Sequence, residues 1–157
     1  SRPVFVDLKY RRMLFDYHGV TSVDLESGDV LWTFDRDNRR WMRLLAVYDG
    51  IAYLSDLGCS PLIIALDTQN GQELWRYTEE VHHDFRSLFV TDDYVIFGNS
   101  GSSVITALER KTGNLAWKLD VGHDIRVGGA ENKLLCQDNK LIVAYDYVYV
   151  FEVIESQ

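Results

Sequence analysis

One unit is written three times in this chain of 157 residues. The copies are Ser22-Val-Asp-Leu-Glu-Ser-Gly-Asp-Val-Leu-Trp32, Ala65-Leu-Asp-Thr-Gln-Asn-Gly-Gln-Glu-Leu-Trp75 and Ala107-Leu-Glu-Arg-Lys-Thr-Gly-Asn-Leu-Ala-Trp117. Their tryptophans stand 43 and 42 residues apart. A fixed period of that length means a stack or ring of equivalent supersecondary units, each too small to bury its own apolar face. Architectures of this kind are more often binding surfaces than catalytic pockets.

Each copy reads small-x-acid-x-x-polar-Gly-x-x-x-Trp. The acid (Asp24, Asp67, Glu109) ends a strand and accepts hydrogen bonds from the backbone N–H groups that follow. Gly28, Gly71 and Gly113 supply the positive φ of a tight hairpin. Ser27, Asn70 and Thr112 precede them and favour turns by side-chain-to-backbone bonds. Val30-Leu31-Trp32, Leu74-Trp75 and Leu115-Ala116-Trp117 then read as strands.

Two more strands precede each motif. Residues 44–47 and 51–54 flank Asp49-Gly50, a strong hairpin signal; 88–90 and 94–97 flank Asp92-Asp93; 134–136 and 141–145 flank Asp138-Asn139. Four strands per period of about 42 residues predict a β-propeller blade. Glu152 falls 43 residues after Glu109 and takes the acid position of a fourth copy. The expected fold is all-β: four-stranded antiparallel blades, three complete and a fourth with three strands. The blades span about 1–35, 43–78, 86–120 and 126–157, in a single propeller domain or half-propeller.

These residues carry a family resemblance. Ala-x-Asp-x-x-Thr-Gly-x-x-x-Trp resembles the tryptophan-docking motif of quinoprotein-like (PQQ-like) propeller repeats. The second copy matches best; the first has Ser22 for Ala and Ser27 for Thr, and the third has Glu109 for Asp. The resemblance implies that Trp32, Trp75 and Trp117 are sandwiched between neighbouring blades, with the Ala position leaving room. Their role, with Gly28, Gly71 and Gly113, is then structural docking.

Composition narrows function. Hydrophobic residues are 46% and charged residues 25% of the chain, a globular balance. No stretch approaches the roughly 20 apolar residues of a membrane span. Net charge is −8 at pH 7. That argues against nucleic acid, whose phosphates select a basic stripe, and is compatible with a basic protein partner. No charged-then-apolar leader opens the chain. This tilts localisation toward the cytoplasm and leaves the periplasm open if a leader has been removed. Cys59 and Cys136 are expected as free thiols, since two cysteines make no disulfide framework and neither has an activating His or Lys beside it.

Catalytic and metal signatures are weak. Dehydrogenases of the resembled family use calcium and commonly a vicinal cysteine pair, and no Cys-Cys occurs here. Asp35, Asp37 and Asn38 come closest to a calcium cluster, without a later glutamate to complete a loop. His82 and His83 would face opposite ways on a strand and lack a third ligand. Neither His18 nor His123 completes a set. Residues 98–101 are Gly-rich, but no helix follows to bind phosphate. No catalytic residue, metal or cofactor is therefore assigned.

A second recurrence offers a binding hypothesis. His83-Asp84-Phe85-Arg86 returns as His123-Asp124-Ile125-Arg126, and Arg43 and Arg2 take the same place in their blades. Arg2, Arg43, Arg86 and Arg126 would ring one mouth of a central channel and attract a carboxylate, a phosphate or an acidic partner. Pairing of each arginine with a local acid such as Asp84 or Asp124 is the plainer reading. Trp41, between Arg40 and Met42, has the composition of an interface anchor and equally that of a core residue.

Closure stays open among three solutions: a small four-bladed ring, two copies joined as halves of a larger ring, or a piece of a longer propeller. An uncovered sheet edge and apolar face are avoided in soluble proteins. The expected partner is thus another protein or a second copy of the chain. The functional reading is a non-catalytic scaffold for protein binding, with an immunity or antitoxin-like inhibitor of a basic partner as a narrower form. The alternatives are half of a quinoprotein-dehydrogenase-like enzyme completed by a second chain, and a propeller that binds a small ligand or carbohydrate through Tyr145, Tyr147 and Tyr149.

Overall fold

A computed structural model describes residues 4–16, 19–35, 42–56, 62–78, 88–98, 102–125, 133–137, 140–144 and 148–152. These residues form strands and turns, with no helix among them. The chain divides into two compact units, Ser1–His82 and His83–Gln157.

The first unit holds two four-stranded antiparallel sheets, each a meander in sequence order. Sheet one comprises β1 (Val4–Asp7), β2 (Arg12–Asp16), β3 (Val20–Asp24) and β4 (Val30–Phe34). Sheet two comprises β5 (Met42–Tyr48), β6 (Ile51–Asp56), β7 (Leu62–Asp67) and β8 (Glu73–Thr78). Alternation decides what each strand buries, because neighbouring side chains point to opposite faces. Leu14 and Val20 of sheet one meet Leu44, Ala52, Leu54, Ile64 and Leu66 of sheet two in one buried cluster. Phe5, Trp32 and Phe34 pack against it from sheet one.

The second unit repeats the plan. Sheet three comprises β9 (Leu88–Val90), β10 (Tyr94–Gly98), β11 (Ser102–Glu109) and β12 (Leu115–Ile125). Sheet four comprises β13 (Lys133–Gln137), β14 (Lys140–Ala144) and β15 (Val148–Glu152). Ile96, Ile105 and Ala107 of sheet three share a core with Leu141 of sheet four, flanked by Trp117, Leu119 and Phe151. The architecture is three four-stranded β-propeller blades and a three-stranded fourth sheet.

Two details differ from the expectation. β12 runs on to Ile125, past the end expected near residue 120, so His123 and Asp124 belong to the third sheet. A bulge permits this: pairing jumps from Val104↔Asp120 to Ser102↔Ile125, and Gly122 at φ 74 takes up the extra residues. The repeated Gly turn is also longer than a two-residue hairpin. The Asp49-Gly50 turn is the tight one, with both residues at positive φ (46 and 78).

Candidate functional site

The three repeated turns share one set of backbone bonds. The acid accepts at its carbonyl from the glycine four residues on: Gly28 to Asp24 at 3.0 Å, Gly71 to Asp67 at 2.8 Å, Gly113 to Glu109 at 2.9 Å. The acid's N–H donates one residue further, to the carbonyls of Asp29, Gln72 and Asn114. Every glycine holds φ between 73 and 77, where a Cβ would be strained. A register shift follows at one equivalent place in each pair of strands, Ser22/Val23, Ala65/Leu66 and Ala107/Leu108.

Side chains complete the turns in a graded way. Asp24 Oδ1 accepts from the N–H groups of Glu26 and Ser27 at 2.8 and 2.9 Å. Asp67 Oδ1 accepts from Gln69 at 2.6 Å. Glu109 is a methylene longer and takes the Thr112 hydroxyl instead. The Ser27 and then the Glu26 amides hold the Asp24 carboxyl below its ordinary range.

Each tryptophan stands across the strand pair from the small residue of its own motif: Trp32 from Ser22, Trp75 from Ala65, Trp117 from Ala107. All three small residues are fully buried. Trp75 and Trp117 also meet tyrosines of their own sheets. The ring centroid of Tyr53 is 6.0 Å from that of Trp75, and Tyr94 stands edge-on to Trp117 at 6.3 Å.

Trp32 reaches across to sheet two. Its indole N–H donates to the Thr68 carbonyl at 2.9 Å. Its six-membered ring lies over Gly71 so closely that a Cβ there would sit 2.8 Å from it. Polar side chains of sheet one surround this contact. The Arg12 guanidinium donates to the carbonyls of Thr68 and Gln69. The Thr68 hydroxyl donates to buried Asp7, whose other oxygen accepts from the Lys9 amide at 3.0 Å. At the far end of the junction, Asp16 Oδ1 accepts from the Leu44 amide at 2.7 Å. Lys9 bridges to Asp49 at 2.8 Å, with both side chains about half exposed.

Sequence reasoning missed Asp7, Arg12, Asp16 and Thr68. Asp7 and Thr68 lie 61 residues apart, and no spacing rule links them. The position after the acid is not even constant, being Leu25, Thr68 and Arg110. Only its backbone role repeats: it donates to Arg11, Gly50 and Asp93 respectively, the hairpin before it. Arg110 adds its Nε, donated to the Asp92 carbonyl at 2.6 Å.

Of the arginine set, Arg43 is described. It lies inside β5, opposite Ser55, and is exposed. Arg2, Arg86, Arg126 and Trp41 lie outside the described residues, as do His18, His82, His83, Cys59, Asp37, Asn38, Tyr145 and Tyr147. Among the described residues, no three of His, Cys, Asp or Glu cluster in a way that could hold a metal ion. No helix of the described residues is long and apolar enough to cross a membrane.

A family model described as outer membrane protein assembly factor BamB matches residues 18–153. The chain belongs to this PQQ-like repeat family. Among solved structures, BamB from Moraxella catarrhalis has a TM-score of 0.72 at 18% identity, over 98% of this chain and 50% of that one. The computationally designed Ika4 protein has a TM-score of 0.73 at 19% identity, over 98% and 92%. At these identities the likeness is one of fold. A 1-butanol dehydrogenase (quinone) from Thauera butanivorans is 31% identical over 90 residues, which is 52% of this chain and 14% of that protein. The chain thus spans half the length of that BamB and a small part of the dehydrogenase. Fold alone does not carry activity, and within this repeat family chemistry has to be argued from side chains.

Proposed function

We propose that this chain is a non-catalytic propeller scaffold that binds another protein. The match of residues 18–153 to the BamB family supports the reading. So does the use made of the recurring side chains. Trp32 and its polar neighbours are spent on holding one sheet to the next, and we assign Trp75, Trp117 and the turn glycines the same docking role. That leaves loops and rims for recognition. Arg43, with Arg2, Arg86, Arg126 and Trp41, is the proposed partner or anion contact. The partner is another protein or a second copy of the chain. A net charge of −8 favours a basic one, and an inhibitor of a basic toxin is the narrow form of the same proposal.

The likeness to 1-butanol dehydrogenase (quinone) motivates a second reading, a part-enzyme completed by another chain. One experiment separates the two. The protein is titrated with pyrroloquinoline quinone and calcium, and the absorbance of the quinone and the thermal midpoint are followed. The scaffold reading expects no saturable change in either. A saturable shift in both, with alcohol oxidation, would overturn it. Charge reversal at Arg43 and Arg86 together is expected to weaken capture of an acidic peptide probe; unchanged binding removes those arginines from the proposal.

A further inference from the structure

Two Asx-Gly steps occur in the sequence, Asp49-Gly50 and Asn70-Gly71, and both fall in turns of sheet two. An aromatic side chain of sheet one covers the glycine of each. A Cβ on Gly50 would sit 2.7 Å from the Tyr10 ring, and one on Gly71 2.8 Å from the Trp32 ring. Lys9 also holds Asp49, donating to its carbonyl and to Oδ1. The equivalent steps in the other two motifs are Ser27-Gly28 and Thr112-Gly113. Of the three copies, the middle one places an asparagine before its glycine.

An asparagine before glycine can attack itself, because glycine has no side chain to keep its own nitrogen from the asparagine carboxamide. The Gly71 nitrogen would lose its proton and bond to Cγ of Asn70. The Cγ–N bond of the carboxamide breaks, the proton ends on the departing ammonia, and a succinimide remains. Water then opens the ring at either carbonyl, leaving aspartate or isoaspartate. Asn70 is exposed, so water and base reach it. The native turn withholds the other reactant. The Gly71 N–H donates to the Asp67 carbonyl at 2.8 Å, and the Asn70 carboxamide oxygen accepts from the Gln72 amide at 2.8 Å. Arg12 of sheet one grips the carbonyls of Thr68 and Gln69 just before the step. The Trp32 ring lies on Gly71, so the peptide between residues 70 and 71 swings only when the ring lifts.

We infer that Asn70 is a deamidation site gated by the docking of sheet one on sheet two. The step reacts when Trp32 and Arg12 release the turn, and not while they hold it. Release is a local opening, with a free energy between zero and that of global unfolding. The product records the event. Isoaspartate adds a methylene to the main chain beneath Trp32, so the bond from Gly71 to Asp67 no longer spans the turn. Aspartate adds a carboxylate beside that of Asp67. A passing separation of the two sheets thereby becomes a permanent mark on sheet two. The inference is independent of what the protein binds.

Peptide mapping by mass spectrometry tests this on the full chain, held in mildly alkaline buffer with and without urea. Conversion of amide to acid at residue 70 gives the rate, and electron-transfer fragmentation separates aspartate from isoaspartate. The native chain is expected to react at least about a hundredfold more slowly than the unfolded one. Trp32→Ala is expected to raise the native rate about a hundredfold, or to the unfolded rate if that is reached first, and to leave the unfolded rate unchanged. Trp117→Ala, in the other unit, is expected to leave the native rate where it was. Far-ultraviolet circular dichroism reports folding of each variant. If Trp32→Ala fails to fold, Arg12→Ala is read instead; it keeps the ring, frees the turn carbonyls and is expected to speed the reaction about tenfold. A native rate equal to the unfolded one overturns the inference, as does indifference to both Trp32→Ala and Arg12→Ala. Equal acceleration by Trp32→Ala and Trp117→Ala also overturns it, because the gate is then unfolding of the whole chain.

Discussion

The turn at Gly28 and the turn at Gly71 are built alike and used differently. Both hold the acid-to-glycine bond, both hold φ near 75, and both carry a polar residue just before the glycine. Gly71 lies beneath the Trp32 ring, whereas a Cβ on Gly28 would meet nothing within 4 Å. The repeat therefore encodes a local shape, and the neighbour decides whether that shape bears load. A residue's identity within the motif does not by itself tell how much stability rests on it.

Substitutions can sharpen or break this contrast. Trp32→Ala removes the indole, its bond to Thr68 and its cover over Gly71, and is expected to cost about 3 kcal/mol in chemical denaturation. Gly71→Ala adds a methyl under the ring at a left-handed backbone position and is expected to cost about 2–3 kcal/mol. Gly28→Ala carries only the backbone strain, about 1 kcal/mol. Equal losses at the two glycines would break the comparison.

Ser22→Ala tests the small position opposite Trp32. The Ser22 hydroxyl is fully buried and has no hydrogen-bond partner, while Ala65 and Ala107 fill the same place in the other copies. The substitution is expected to stabilise by about 1 kcal/mol, because a desolvated, unpaired hydroxyl is removed. A loss of stability would mean that the hydroxyl is satisfied.

The smallest effect is one of pH. The folded pKa of Asp24 is lowered, first by the Ser27 amide and then by the Glu26 amide. Its contribution is therefore present above the unfolded carboxylate value of about 3.9 and is lost as pH falls through the folded value. Asp120 is lowered likewise, by the Ser103 hydroxyl and then by the Gly122 amide. Denaturation midpoints below about pH 4 are expected to fall less steeply in Asp24→Asn than in the parent chain. Parallel curves would remove Asp24 from the acid response. The Lys9–Asp49 pair is exposed on both sides and is expected to leave the midpoint unmoved when Lys9 becomes alanine.

Much of this fold was legible because its signals are local. β3, β7, β11 and β15 each end on the acid, at Asp24, Asp67, Glu109 and Glu152. Asp49-Gly50 and Asp92-Asp93 fall between paired strands as their composition predicts. The extension of β12 to Ile125, past the end expected near residue 120, was not legible, because it depends on the irregular pairing around Gly122. The polar junction around Thr68 was hidden for another reason. Asp7, Arg12 and Thr68 are ordinary surface residue types, and nothing in their order says that they meet.

The chain's own order of residues determined the strand, turn and strand of each unit, since the turn bonds close within five residues and the two strands pair outward from them. The same order determined which side of each strand is apolar. Only the tertiary structure decided that Trp32 belongs to Gly71 and Thr68 and that Asp7 is buried. Those outcomes depend on which sheet lies against which, and pairings across 36 to 61 residues are fixed by packing, not by spacing.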